Sequence, residues 1–252
     1  MNTLTPHDIA AMLDHSTLQP YLTEDDIRKG CALALKYGCA SVCARPCDVP
    51  ILAELLKGSP VKVCTVIGFP HGAHETTIKL AEAELALAEG CQELDMVINI
   101  GRMIRSDEDY VREEIRQLAD LAHANGAILK VILETCYLTD AQKKRACELS
   151  EEAGADFVKT STGYGLKNLN GGTALGCTIE DLKLMRAAVS SRVRVKGSGG
   201  IRDLDTVLSA RAVGASRCGV SATRAIMEEA ERRYAAGTLK EADEMKEMSG
   251  GY

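Results

Sequence analysis

The sequence predicts an α/β fold of a single domain, a TIM (β/α)8 barrel, and three observations carry that prediction. Short apolar runs recur along the whole chain. They alternate with stretches of helical periodicity, which implies parallel strands joined by crossover helices. Eight such units fit into 252 residues, about the usual size of the barrel. A doubly wound open sheet is the structural alternative, but no Gly-x-Gly-x-x-Gly fingerprint opens a first unit.

In chain order the expected strands are residues 13–17, 41–44, 61–69, 93–100, 128–134, 156–161, 193–196 and 216–220. Gly38-Cys39, Gly90-Cys91, Gly126-Ala127, Gly154-Ala155 and Gly214-Ala215 each follow a helical pattern and precede an apolar run. Glycine suits that junction because it takes the left-handed conformation that closes a last helical turn. Two helices show a stripe at helical spacing, Ile78, Ala81, Leu85 and Ala88, then Val111, Ile115, Leu118 and Ala122, and both are assigned to the core. The barrel domain is expected over residues 1–236. Residues 237–252 are expected to form a flexible polar tail, with residues 240–246 as a solvated helix.

Composition removes several function classes. Lys plus Arg is 30 against 36 Asp plus Glu, a net charge of −6, and aromatics are 4% with no Trp. Such a chain has neither the basic footprint nor the stacking side chains that nucleic acid needs. No stretch reaches the roughly 18 apolar residues of a membrane span. The first residues lack the basic start and apolar run of a signal peptide. Ten cysteines without such a signal read as reduced thiols, so a cytoplasmic protein is expected. Cys39, Cys43 and Cys47 fall four apart but straddle a strand and the Pro46 turn, and read as small buried thiols.

Functional groups of a barrel gather at the C-terminal ends of its strands. Strand alternation puts Leu94, Met96 and Ile98 on one face and Asp95, Val97 and Asn99 on the other. With the apolar face against the helices, Asp95 points into the barrel. By the same parity Phe157, Lys159 and Ser161 share a face, as do Arg194, Lys196 and Ser198. Lysine is seldom fully buried, and two at one mouth repel each other. Repulsion and desolvation favour the neutral amine, the form that attacks a carbonyl to give a Schiff base. A nearby carboxylate such as Asp95 moves protons in such chemistry. The competing reading is a structural ion-pair network of Asp95 with the two lysines.

Gly197-Ser198-Gly199-Gly200 joins the Lys196 strand to a helix beginning near Asp203, and Gly219-Val220-Ser221-Ala222 joins the last strand to its helix. Glycine lets backbone N–H groups approach a phosphate, and a helix N-terminus adds a favourable dipole. Loops after strands seven and eight recur as phosphate sites in this architecture, although a Gly-rich turn by itself only turns the chain. His71 and His74 form a candidate metal pair, but no third ligand sits at a convincing offset, so no metal is expected.

At Asp156-Phe157-Val158-Lys159-Thr160-Ser161-Thr162-Gly163 the chain resembles the deoxyribose-phosphate aldolases. Leu94-Asp95-Met96-Val97-Ile98-Asn99, Lys130-Val131-Ile132-Leu133-Glu134-Thr135 and Lys196-Gly197-Ser198-Gly199-Gly200-Ile201-Arg202 extend the likeness, which runs from about Asp14 to about Ala225. The resemblance implies a class I aldolase free of metal and cofactor. Such an enzyme reversibly cleaves 2-deoxy-D-ribose 5-phosphate to acetaldehyde and glyceraldehyde 3-phosphate. It implies Lys159 as the Schiff-base lysine, Lys196 as the lysine that keeps it neutral, and Asp95 as the proton shuttle acting through a water. It further implies a phosphate cradle from Gly163, Gly199, Gly200 and Ser221, with Thr162 and Gly219 beside it. Asp14 and Ser16 would line the substrate pocket, and Lys130 would play a supporting part near it. The expected partner is a small sugar phosphate, with no nucleic acid and no membrane, in a homodimer or homotetramer.

Several positions depart from the family pattern: Gln19 before Pro20, Arg45 before Pro46, Gly197 after Lys196, Ala222, and extra residues over 167–172. They alter the acceptor side, so an aldolase or lyase for another short sugar phosphate is the alternative. A silent phosphate-binding barrel is a weaker one. Chain ends usually fray, yet some members end in a Tyr that enters the barrel mouth. Tyr252, after Gly250 and Gly251, is a candidate proton donor of that kind.

Overall fold

The computed structural model describes residues 4–166, 168–169 and 175–248. Eight parallel strands close a barrel in sequence order: β1 (Leu13–Thr17), β2 (Ser41–Ala44), β3 (Lys62–Ile67), β4 (Glu93–Val97), β5 (Ile128–Ile132), β6 (Phe157–Lys159), β7 (Arg194–Ser198) and β8 (Arg217–Val220). β8 pairs back onto β1, with Asp14 opposite Gly219. Closure excludes the open doubly wound sheet.

Among the described residues ten α-helices accompany the strands: α1 (Pro6–Ala10) before β1, then α2 (Glu24–Tyr37), α3 (Val49–Leu55), α4 (Thr76–Ala88), α5 (Ile100–Ile104), α6 (Glu108–Ala124), α7 (Asp140–Glu152), α8 (Ile179–Ala188), α9 (Leu204–Ala212) and α10 (Thr223–Ala235). Local chemistry sets where they begin. Thr23 with Asp26, Thr139 with Gln142 and Asp203 with Thr206 form capping boxes that satisfy the first free N–H groups of α2, α7 and α9. Each of these starts follows the C-terminal end of a strand, so helix N-termini and the functional ends of the strands share one face.

The strand parity holds. Leu94, Met96 and Ile98 are buried against the helices, as are Val111, Ile115, Leu118 and Ala122 of α6. The stripe assigned to α4 does not hold: Ile78 and Leu85 are 56% and 61% exposed, and Ala81 and Ala88 also face solvent. The buried face instead carries Lys79, Ala83 and Ala86. Lys79 bonds Glu114 of α6 at 2.9 Å and donates to the Val97 carbonyl at 2.8 Å. Gly68 admits that side chain, since a Cβ there would lie 2.7 Å from Lys79 Cε.

Other differences are local. The third strand stops at Ile67 because Gly68 turns with φ +62°. The fourth stops at Val97 because Asn99 caps α5, its side chain accepting from Arg102 N. Cys47 is exposed, not buried. Residues 240–246 form no helix: they lie along α9, with the Lys246 N–H on Ser209 Oγ at 2.8 Å, Lys246 Nζ on Asp203 at 2.6 Å and Glu241 on Arg211 at 2.9 Å. Tertiary ion pairs and the burial of Leu239 decide that segment over its helical charge pattern.

Candidate active site

Inward parity collects the charges. β4 contributes Glu93 and Asp95, β5 Lys130, β6 Lys159, β7 Lys196, β8 Arg217 and β1 Asp14. Asp95 is the hub. Its Oδ2 accepts from Lys159 at 2.7 Å and Lys196 at 2.8 Å, and its Oδ1 accepts from Lys130 at 2.7 Å and from the Cys64 thiol at 3.4 Å. Asp14 accepts from both Lys196 and Arg217. Glu93 closes the lower layer, 2.8 Å from Lys130 and 3.0 Å from Arg217.

The pairing leaves one cation over: four basic groups share three carboxylates. Burial alone would raise the carboxyls of Asp14 and Asp95, yet the charges of Lys196, Lys130, Lys159 and Arg217 hold both well below the ordinary range. Burial alone would lower Lys130 and Lys196, yet Asp95 and Asp14 hold both ammonium groups above theirs. Lys130 is fully sealed and Lys196 is 1% exposed, whereas Lys159 is 3% exposed and bonds only Asp95 among the charged partners. Lys130 sits one layer deeper and holds Asp95 from below.

Beyond Lys159 the mouth is built of tight turns. Gly163, Gly199 and Gly200 have φ of +90°, +86° and +85°, which favours glycine. A Cβ on Gly199 would lie 3.7 Å from Gly163 Cα and 2.9 Å from Gly176 Cα. Gly176 thus joins the cradle from the start of α8. Gly219 lines the same side, where a Cβ would stand 3.0 Å from that of Ser198. Ser16 and Ser221 border a groove of about 350 Å³ together with Gln19, Lys29 and Arg224. A separate apolar cluster of Leu18, Cys43, Cys64 and Val66 carries Phe69 packed on it. Tyr164 roofs it, edge-on to Phe69 at 5.4 Å, with its hydroxyl on the Leu18 carbonyl at 3.1 Å.

The only metal-ligand types that cluster among the described residues are Cys43, Cys64 and Asp95. They do not fit a cation, because Lys130 Nζ lies 3.3 Å from Cys64 Sγ and three ammonium groups already bond Asp95. His71 and His74 stand exposed on the surface. Among the described residues no helix is long and apolar enough to cross a membrane.

Residues 9–229 match the profile of the DeoC/LacD family aldolases. The chain is 48% identical over 227 residues to the deoxyribose-phosphate aldolase of Rhodopirellula baltica, covering 90% of this chain and 91% of the relative. The Thermococcus gammatolerans enzyme of that name is 48% identical, with 88% and 96% covered.

The chain belongs to the DeoC/LacD aldolase family.

Among solved structures, a putative deoxyribose-phosphate aldolase from Coccidioides immitis superposes with a TM-score of 0.84 at 38% identity, covering 92% of this chain and 88% of that one. The tetrameric deoxyribose phosphate aldolase from Aeropyrum pernix gives 0.81 at 32%, covering 90% and 92%.

Within this aldolase the unusual positions have local explanations. Arg45 bonds Asp48 at 2.7 Å and donates to the carbonyls of Pro20 and Leu22 at 3.1 Å, so it ties the loop bearing Gln19 to the end of β2. A Cβ on Gly197 would meet Cys177 Sγ and Ile201 Cδ1, each at 3.1 Å. Ala222 is half-buried just before α10. Sequence reasoning missed Glu93, Arg217, Gly176 and Tyr164. Parity with Asp95 and Gly219 was the signal for the first two. Tyr252 and most of residues 167–172 lie outside the described residues.

Proposed function

We propose that the chain cleaves 2-deoxy-D-ribose 5-phosphate reversibly to acetaldehyde and D-glyceraldehyde 3-phosphate through a Schiff base on Lys159. The carrying observation is the surplus cation: Lys159 is the least sealed amine of the interior network, paired only with Asp95 at the C-terminal end of β6. Its neutral Nζ adds to C1 of the open-chain aldehyde, and loss of water gives the iminium. Asp95, on Nζ at 2.7 Å, takes up the C3 hydroxyl proton through a water as the C2–C3 bond breaks. Glyceraldehyde 3-phosphate leaves, the enamine is protonated at C2, and hydrolysis frees acetaldehyde. Lys196 stays cationic and keeps a positive charge beside the iminium.

The phosphate lies against Gly163, Gly199, Gly200, Gly219 and Ser221, with Thr162 beneath and with Ser16 and Asp14 on the opposite side. Tyr252 supplies the proton at C2 during enamine protonation. The protein works in the cytoplasm as a homodimer or homotetramer, the barrel of residues 1–236 carrying the tail.

Borohydride trapping with acetaldehyde, read by peptide mass spectrometry, is expected to place an ethyl group on Lys159; stable labelling confined to Lys196 overturns the assignment. The Arg45 clamp favours a second reading, an aldolase for another short sugar phosphate. Faster cleavage of another phosphorylated sugar in a side-by-side panel would decide for it.

A further inference from the structure

We infer that Glu134 is a positioning residue that sets the distance between the reactive amine and the phosphate cradle, and through that distance the preference for a phosphorylated substrate. The inference rests on the Schiff-base reading of Lys159 given above.

Glu134 follows β5 with φ +53° and ψ +67°. A non-glycine residue in that region stores roughly 1 kcal/mol or more, and such strain persists only where surrounding contacts impose it. The only other such residue among those described, Ser106, lies in an exposed turn, whereas Glu134 is buried. The parallel ladder beside it continues past the strands, with Leu133 N on the Lys159 carbonyl at 2.9 Å and Thr135 N on that of Thr160 at 3.0 Å. The left-handed turn between these two bonds aims the Glu134 carboxylate at the next turn of the chain. There Oε2 accepts from Thr162 N at 3.1 Å and from the Thr162 hydroxyl.

The Thr162 oxygen in turn accepts from Tyr164 N at 2.9 Å, and the Tyr164 hydroxyl ends on the Leu18 carbonyl at 3.1 Å. Gly163 is therefore pinned on both sides by one run of hydrogen bonds from β5 to the loop after β1. Burial pushes the Glu134 carboxyl up, and its bonds to Thr162 offset that only in part. An acid kept in such a place holds geometry: it fixes how far Gly163, in the turn after β6, and the adjoining Gly199 stand from Lys159 at the end of β6. In the proposed substrate that span separates C1 from the 5-phosphate.

The test compares Glu134→Ala, Glu134→Asp, Glu134→Gln and Tyr164→Phe with the wild type on phosphorylated and unphosphorylated 2-deoxyribose. Expected for the Ala and Asp variants is a rise of about tenfold in KM for the phosphorylated sugar, with kcat within about threefold and the preference for phosphate reduced by about tenfold. Glutamine, which keeps the acceptor, should restore most of it. Acetaldehyde carries no phosphate, so borohydride labelling of Lys159 should persist in every variant. Unchanged preference for phosphate, or parallel loss of labelling and turnover, overturns the inference. Should the Ala and Asp variants fail to fold, Tyr164→Phe, which removes the last bond of the run on the Leu18 carbonyl, decides by the same preference ratio. Absence of labelling in the wild type would instead sink the Schiff-base reading.

Discussion

Two buried lysine–carboxylate assemblies stand about β4, one behind the barrel wall and one inside it. Behind the wall Lys79 faces Glu114 one to one, and the carboxylate also accepts from Asn99 N at 3.2 Å. Burial wins there: it lowers Lys79 and raises Glu114, so both lean toward neutrality despite their mutual attraction. Inside the barrel each charge has several partners and the result reverses, with Asp14 and Asp95 held down and Lys130 and Lys196 held up. A single partner does not recover the desolvation of two ions, whereas a network does. The closed pair has no group to spare. The network has one more cation than carboxylates in its direct ion pairs, and under the proposed function that separates a reaction centre from a strut.

The largest expected effect breaks the network at its surplus member. Lys159→Met should cut aldol cleavage by at least about 10⁴-fold while leaving the unfolding midpoint within a few degrees, because no carboxylate loses its last partner. A steady-state assay with a parallel melting curve checks both halves. Next, Lys196→Leu turns four cations against three carboxylates into three against three. Turnover should fall roughly 10²-fold at neutral pH and recover in part in alkaline buffer. An unchanged pH–rate profile removes the charge role of Lys196.

On the other side of the wall, Lys79→Met should cost roughly 3–5 kcal/mol of stability by leaving Glu114 buried without its counter-ion. Pairing it with Glu114→Gln should recover most of that. Activity per folded molecule should stay at the wild-type level in both, as urea unfolding and an active-site-normalised assay would report. The smallest effect concerns a third buried group outside both assemblies. Burial pushes His15 down to about 4, and its Nδ1 shares a hydrogen with Thr223 Oγ1 at 2.9 Å. The unfolded chain binds this proton first, so the contribution is whole above about pH 6.5 and lost as pH falls toward 4, roughly 3 kcal/mol in all. His15→Gln should flatten that part of the stability curve.

What the sequence made legible followed from period and parity. All eight strands come from short apolar runs set between helical stretches, and the inward direction of Asp95, Lys159 and Lys196 comes from alternation, since a strand has no other way to present its faces. The α4 face did not, because an alanine-rich helix carries two apolar stripes. The choice between them was made by Lys79, whose burial depends on Glu114 far along the chain. Glu93 and Arg217 were hidden for a related reason. A charge at the entry of a strand looks solvent-bound until the barrel closes over it. Glu134 was visible only as part of a motif, since its left-handed backbone leaves no trace in residue type. The segment over 240–246 has the charges of a helix but is claimed by Asp203, Ser209 and Arg211.

Because β8 closes onto β1, Asp14 meets Lys196 across 182 positions and Arg217 across 203. On a ribosome adding about 5–20 residues per second, the first strand waits on the order of ten to forty seconds for its partners. Until the eighth strand emerges, neither Asp14 nor Glu93 has its arginine, and the interior lysines have no sealed, charge-matched chamber. A nascent or truncated chain thus carries ordinary solvated ammonium groups, almost all protonated near pH 7 and slow to condense with aldehydes of the cell. Reactivity arrives in the same event as completion.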